Sequence, residues 1–154
     1  MAPLGARSAK EYQFQAALSK DTNQIVATID LHSNPRSLVA GEGSIWVCNE
    51  GDGTVQRIDG KSAELVATIE AGAVGKCAMA VGGGFIWVST GDQPLVQIDP
   101  RTNSVRGKYK AEMQGEVITG APIDRMGELD STIRFGSGSL WLSGRTVRRI
   151  KPPE

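Results

Sequence analysis

Apolar and polar positions alternate along this chain in short runs, broken by glycine-rich turns at nearly even spacing. Runs such as Ser37-Leu38-Val39-Ala40, Thr54-Val55-Gln56-Arg57-Ile58 and Leu65-Val66-Ala67-Thr68-Ile69 are short and rich in β-branched residues. Such runs suit short antiparallel strands. No window holds an apolar stripe at helical period. The pattern therefore predicts an all-β chain.

One segment recurs. Gly41-Glu42-Gly43-Ser44-Ile45-Trp46-Val47, Gly82-Gly83-Gly84-Phe85-Ile86-Trp87-Val88 and Gly136-Ser137-Gly138-Ser139-Leu140-Trp141-Leu142 all read Gly-x-Gly-x-apolar-Trp-apolar, and they hold all 3 tryptophans. A motif returning about every 40 residues marks a repeat whose copies are each one structural unit. Aligned on Trp, each unit has a short apolar strand, a hairpin turn at Gly-x-Gly, the Trp strand, a polar loop and a third strand. A turn such as Asp99-Pro100-Arg101-Thr102-Asn103 leads to a fourth strand. Four antiparallel strands repeated in this way form the blade of a β-propeller. The expected divisions are a tail at 1–11, a repeat region at 12–151 and a tail at 152–154. Within the repeat region lie a half blade (12–30), two blades (37–70 and 78–110), a long loop (111–130) and three strands (132–151). Gln24-Ile25-Val26-Ala27-Thr28-Ile29 nearly copies the fourth strand at Glu64-Leu65-Val66-Ala67-Thr68-Ile69.

These residues resemble the YVTN-type propeller repeats, and most of all the group of the streptogramin (virginiamycin B) lyases. The likeness runs over roughly residues 19–151 and is carried by scaffold positions. It implies a β-propeller and, if activity came with it, a Mg²⁺-dependent elimination that opens a cyclic depsipeptide ester. That family clusters histidines and a glutamate on its channel face. This chain has 1 histidine and no such grouping, so the family's catalytic residues do not carry over. The chain also departs in blade number. Propellers have four to eight blades, and about three and a quarter blades do not readily close a ring. Three arrangements are open: part of a longer propeller, two copies assembled into one ring, or Gln24–Ile29 completing the blade of Thr132–Ile150 in a small ring.

Charge narrows the partners. The formal net charge is zero, and nucleic-acid binding needs a surplus of clustered Lys and Arg. No apolar run approaches the roughly 18 residues that span a bilayer, and residues 1–20 show no secretory apolar core. The expectation is a cytoplasmic chain as it stands, periplasmic or secreted if it is a piece of something longer. Its partner is expected to be a protein, peptide or small-molecule ligand, not nucleic acid or membrane, with a homo-oligomer completing the propeller as one arrangement. The 2 cysteines are too few for a disulfide framework. Cys48 and Cys77 read first as small buried thiols, with a disulfide only if their Cα atoms lie within about 7 Å.

In a propeller, the loops entering the first strand and those joining the second to the third share one face. The entering loops carry His32, Asn34, Arg36, Lys76, Cys77, Asp130 and Ser131. The others carry Asn49, Glu50, Asp52, Thr90, Asp92 and Arg145. The expected ligand-binding face is therefore Arg36, Asn49, Glu50, Asp52, Lys76, Cys77, Thr90, Asp92, Asp130 and Arg145. Position alone nominates them, since Asn and Asp are also what turns require. His32 is the one candidate acid–base group, but no catalytic residue and no metal ligand is assigned. The 111–130 loop holds four acidic residues to one basic before Asp130, a balance that favours a cationic or metal-bearing partner. The tryptophans recur at one structural position and are expected to pack between blades. The reading is a non-catalytic binding or interaction module without a cofactor. The alternative is a degenerate lyase-like enzyme using Mg²⁺, His32 and a carboxylate from Glu50, Asp92 or the long loop.

Overall fold

The computed structural model describes residues 13–18, 24–75, 77–90, 95–109, 111–113, 116–118, 132–143 and 147–152. Among them every regular element is a strand, and no helix is long and apolar enough to cross a membrane. A first ladder pairs β1 (Gln13–Leu18) with β2 (Ile25–Asp30). Blade I is the antiparallel meander β3 (Pro35–Gly41), β4 (Ser44–Asn49), β5 (Thr54–Asp59) and β6 (Leu65–Glu70). Blade II repeats it with β7 (Cys77–Gly82), β8 (Phe85–Thr90), β9 (Leu95–Asp99) and β10 (Ser104–Tyr109). A short hairpin, β11 (Ala111–Met113) and β12 (Glu116–Ile118), lies in the stretch expected to be an irregular loop. Blade III has β13 (Thr132–Gly136), β14 (Ser139–Ser143) and β15 (Val147–Ile150). In the small-ring arrangement β2 would pair with β15. Instead β2 pairs with β1, and β15 pairs with β14.

The glycine motif does two jobs. The residues flanking the turn pair directly, Gly41 with Ser44, Gly82 with Phe85 and Gly136 with Ser139. That leaves two-residue loops whose central residues both have positive φ, such as Glu42 (51°) and Gly43 (71°), as this tight hairpin demands. The first glycine lies outside the turn and serves packing instead. A Cβ on Gly41 would fall 2.5 Å from Val81 Cγ1, and one on Gly82 would overlap the Phe135 ring. Each of these glycines is the seat for a side chain of the next blade.

The blades pack face to face, with the first strands β3, β7 and β13 side by side. Alternation within each strand sends one set of side chains to the preceding blade and the other to the next. Met79, Ile86, Val88, Val96 and Ile98 of blade II thus meet Trp46, Val55 and Ile69 of blade I. Ile133, Leu140 and Leu142 of blade III meet Ala80, Trp87 and Leu95 of blade II. Ile29 of β2 covers Val47 and Ile58 of blade I. Trp46 and Trp87 are 0% and 1% exposed, whereas Trp141 is only half-buried. All three indole N–H groups donate to the carbonyl of the first motif glycine, Trp46 to Gly41 at 3.1 Å, Trp87 to Gly82 at 2.9 Å and Trp141 to Gly136 at 2.9 Å. This bond ties the tryptophan to the far side of its own hairpin and gives the spacing of five residues a cause.

The expectation of two thiols is corrected. Cys48, which ends β4, and Cys77, which opens β7, form a disulfide across the gap between blades I and II, with Cα atoms 6.6 Å apart. The reason is topological. Both residues reach the same end of neighbouring blades and point into one core, where they are nearly fully buried.

Candidate functional site

The strand register gathers the entering and second-to-third loops at one end of the blades. In blade I it pairs Pro35 with Asn49, Asn49 with Thr54 and Thr54 with Glu70. In blade II it pairs Cys77 with Thr90 and Leu95 with Tyr109. Thr132, Ser143 and Val147 take the matching places in blade III.

Main-chain bonds stitch three of these loops together. The N–H groups of Glu50 and Gly51 donate to the carbonyls of Asn34 and Ser33, at 3.0 and 3.1 Å. On the other side, the N–H of Gly75 donates to Glu50 O and that of Ala73 to Gly53 O, both at 3.0 Å. The 49–53 loop thereby holds the entering loops of blades I and II at once. The Cys48–Cys77 disulfide lies just beneath.

Side chains continue the pattern. His32 Nδ1 lies 2.9 Å from Asp52 Oδ2. Asp52 Oδ1 accepts from the Thr54 hydroxyl at 2.7 Å and from the Thr54 N–H at 3.1 Å. Burial raises the Asp52 carboxyl, but hydrogen bonds from Thr54 and His32, with the His32 charge, outweigh it and hold the group below its ordinary value. Beneath the pair, Asn49 Nδ2 donates to Thr54 Oγ1 at 3.0 Å and to Gln56 Oε1 at 2.9 Å. Gln56 Oε1 also accepts the His32 N–H at 2.8 Å. Asn34 Nδ2 donates to Glu50 Oε1 at 2.7 Å, and Arg36 lies 4.0 Å from the same oxygen.

Of the residues nominated by position, His32, Asn34, Arg36, Asn49, Glu50 and Asp52 come together in this one network. Asn49, Thr90 and Cys77 are buried, so they face the protein and not solvent. Lys76, Asp92, Asp130 and Arg145 lie outside the described residues, as does the whole of the 119–131 stretch. Thr54 and Gln56 were missed because they sit on a strand. The available signal was Asp52-x-Thr54, a spacing at which an Asp side chain caps the residue two places on. Charged groups at this end of the described residues are Asp30, Glu50, Asp52 and Glu70 against Arg36, Lys108 and Arg148. The described residues contain no group of three His, Cys, Asp or Glu side chains able to hold a metal ion.

No protein-family model and no curated protein sequence matches the chain. Solved structures do resemble it. Hydrazine synthase of Kuenenia stuttgartiensis is 15% identical with a TM-score of 0.53, over 72% of this chain and 29% of that one. Glutaminyl cyclase of Myxococcus xanthus is 16% identical with a TM-score of 0.59, over 88% and 56%. The extracellular domain of a hybrid two-component system from B. thetaiotaomicron is 21% identical with a TM-score of 0.52, over 82% and 16%. The chain spans less than two thirds of each of these structures. At such identities the likeness is one of fold. Hydrazine synthase and glutaminyl cyclase are propeller-type proteins, and this chain has the same architecture: antiparallel blades of three and four described strands that make up part of a propeller.

Proposed function

We propose that the chain is a non-catalytic interaction module, built from YVTN-like blades that hold a rigid loop face against a protein or peptide ligand. The observation that carries this reading is the inward closure of the loop network. His32, Asn34, Asn49, Thr54 and Gln56 bond to one another or to Asp52 and Glu50, an arrangement that stiffens a surface. Among the described residues the acidic groups at the blade end outnumber the basic ones by four to three, which favours a ligand with basic side chains. Nucleic acid and membrane fit poorly with such a surface. The disulfide favours work in an oxidising compartment, the periplasm or outside the cell, since such bonds are rare where glutathione keeps thiols reduced.

Fluorescence anisotropy tests the ligand class. Peptides rich in Lys and Arg should bind, weaken with salt, and lose several-fold affinity to Asp30→Asn/Glu70→Gln protein. Equal binding of Asp/Glu-rich peptides would exclude this reading.

One observation favours a second reading, the degenerate lyase. The His32–Asp52 contact has the distance of an oriented acid–base pair. The donors do not fit the Mg²⁺ that such a lyase would use. Asp52 already accepts bonds from Thr54 and His32, and no third ligand joins the pair among the described residues. We therefore derive no metal-dependent step. Ring opening of a cyclic depsipeptide ester by the purified chain, lost in His32→Ala, would establish the second reading against the first.

A further inference from the structure

We propose that a second copy of this chain seats on the open face of blade III, and that two copies joined head to tail close a six-bladed ring. The proposal is independent of the ligand reading above. It rests on an inter-blade joint whose glycine seat and flanking side chain the chain uses twice and whose arginine clamp it uses once, Gln97 standing in the place of Arg57 in blade II. Halves of that joint stand uncovered by described residues on blade III and on the first strand of blade I.

The joint has three parts. The first is the glycine seat. Val81 fills the one at Gly41 and Phe135 the one at Gly82, whereas a Cβ placed on Gly136 meets no described heavy atom within 4 Å. The second is the side chain two places before that plug. Met79 and Ile133, which press on the preceding blade, are 1% and 0% exposed, but Leu38, their counterpart in blade I, is 45% exposed. The third is an arginine clamp. Arg57 lies over Trp46 at 5.0 Å, donates through Nε to Ser44 Oγ at 2.8 Å, and reaches across the gap to the Pro100 carbonyl at 2.6 Å and Asn103 Oδ1 at 2.8 Å. Arg149 repeats the first half of this clamp. It lies over Trp141 at 5.7 Å and donates through Nε to Ser139 Oγ at 2.8 Å.

The partner surface for all three parts is the front of blade I. Ala40 stands where Val81 and Phe135 stand. It is small enough for the seat, since the Val81 Cβ already lies 3.0 Å from a Cβ placed on Gly41. Leu38 would gain the cover that Met79 has. The turn at Asp59–Ala63 matches the Asp99–Asn103 turn that Arg57 grips, down to the positive φ of Ala63 (59°) and Asn103 (52°). Arg149 would reach the Gly60 carbonyl there as Arg57 reaches that of Pro100. A face that fits the opposite end of its own molecule makes a heterologous joint, which closes when the rotation allows. Three described blades from each 154-residue copy give six, within the range that propellers close.

The ring also settles a strand. β2 already covers blade I through Ile29, in the place of a fourth strand of the preceding blade. In the ring, β15 of the other copy takes the slot beside β2 that β1 holds here. Thr146-Val147-Arg148-Arg149-Ile150 repeats Thr54-Val55-Gln56-Arg57-Ile58, and β2 repeats β6, so the new pair copies the pairing of β5 with β6.

Analytical ultracentrifugation of the 154-residue chain tests this. The wild type should sediment at twice its 16.3 kDa mass. Gly136→Val has room in the single copy and should melt as the wild type does at concentrations where both are monomeric, yet its dimer should dissociate at about tenfold or more lower dilution, because a side chain then fills a seat at each joint. Leu38→Asp should dissociate likewise. Mixing the two variants should restore a heterodimer, because one of its two joints is intact. Deleting residues 1–18 should leave the dimer in place. A monomeric wild type at high micromolar concentration, an unaffected Gly136→Val dimer, no restoration on mixing, open-ended polymers, or loss of the dimer on the deletion would each overturn the proposal.

Discussion

Phe135 lies against Gly82 so closely that a Cβ on residue 82 would overlap its ring. The first glycine of the motif is thus a packing residue, the point where one blade admits a side chain of the next. Gly82→Val should destabilise the chain by about 1–3 kcal/mol, the usual cost of forcing extra volume into a packed site. Urea denaturation checks this. A midpoint equal to that of the wild type would mean that Phe135 swings aside at no cost.

The tryptophans should rank by position. Trp46→Ala and Trp87→Ala each empty a buried site between blades and should cost about 3–5 kcal/mol. Each also leaves a glycine carbonyl without its indole donor. Trp141 makes the same hydrogen bond but is half-buried, so Trp141→Ala should cost clearly less under conditions where the chain is monomeric. Equal losses at all three positions would contradict the inter-blade account.

The fold was legible because the repeat forces the same residue types into the same places. The tryptophan, the glycine pair and the Thr-Val-x-Arg-Ile strand recur for one packing reason each. The candidate site was legible only as an end of the blades. Loop position gathered His32, Asn49, Glu50 and Asp52 on one side, but periodicity says nothing about whether a polar side chain faces solvent or its neighbour. Asn49 turned inward to Thr54 and Gln56. The disulfide was hidden for a related reason. Its 29-residue separation becomes a contact only when two blades are stacked, and stacking distance is not written in one blade's pattern.

The disulfide should be a measurable part of stability. In the chain-entropy account, a cross-link closing a loop of this length contributes about 3–4 kcal/mol. A Cys48→Ser/Cys77→Ser protein should therefore unfold at lower urea than the oxidised wild type, and reductant should lower the wild type toward it. Mass analysis of protein from an oxidising and a reducing compartment should differ by two hydrogen atoms. Free thiols in the folded protein from both would refute the link and the compartment that follows from it.

The last prediction concerns acid. The Asp52 carboxyl is held below its ordinary value because its hydrogen bonds from Thr54 and His32 outweigh the effect of burial. Asp59 is lowered by the N–H groups of Ser62 and Lys61, and Asp99 by Arg101. A depressed carboxyl binds fewer protons folded than unfolded, so stability rises with pH between the two values. The contribution is whole above the unfolded value of about 3.9 and is lost as pH falls through the folded one. The melting temperature should therefore drop on going from pH 5 to pH 3. Asp52→Asn keeps an acceptor for Thr54 but removes the titration, so its melting temperature should drop less over the same range. The remaining slope belongs to Asp59, Asp99 and the other carboxyls. Arg101 lies on a turn away from His32, so Arg101→Ala should flatten the acid limb independently of Asp52→Asn, and the two effects should add. Parallel curves for wild type and Asp52→Asn would show that the His32–Asp52–Thr54 network does not favour the ionised carboxylate in solution.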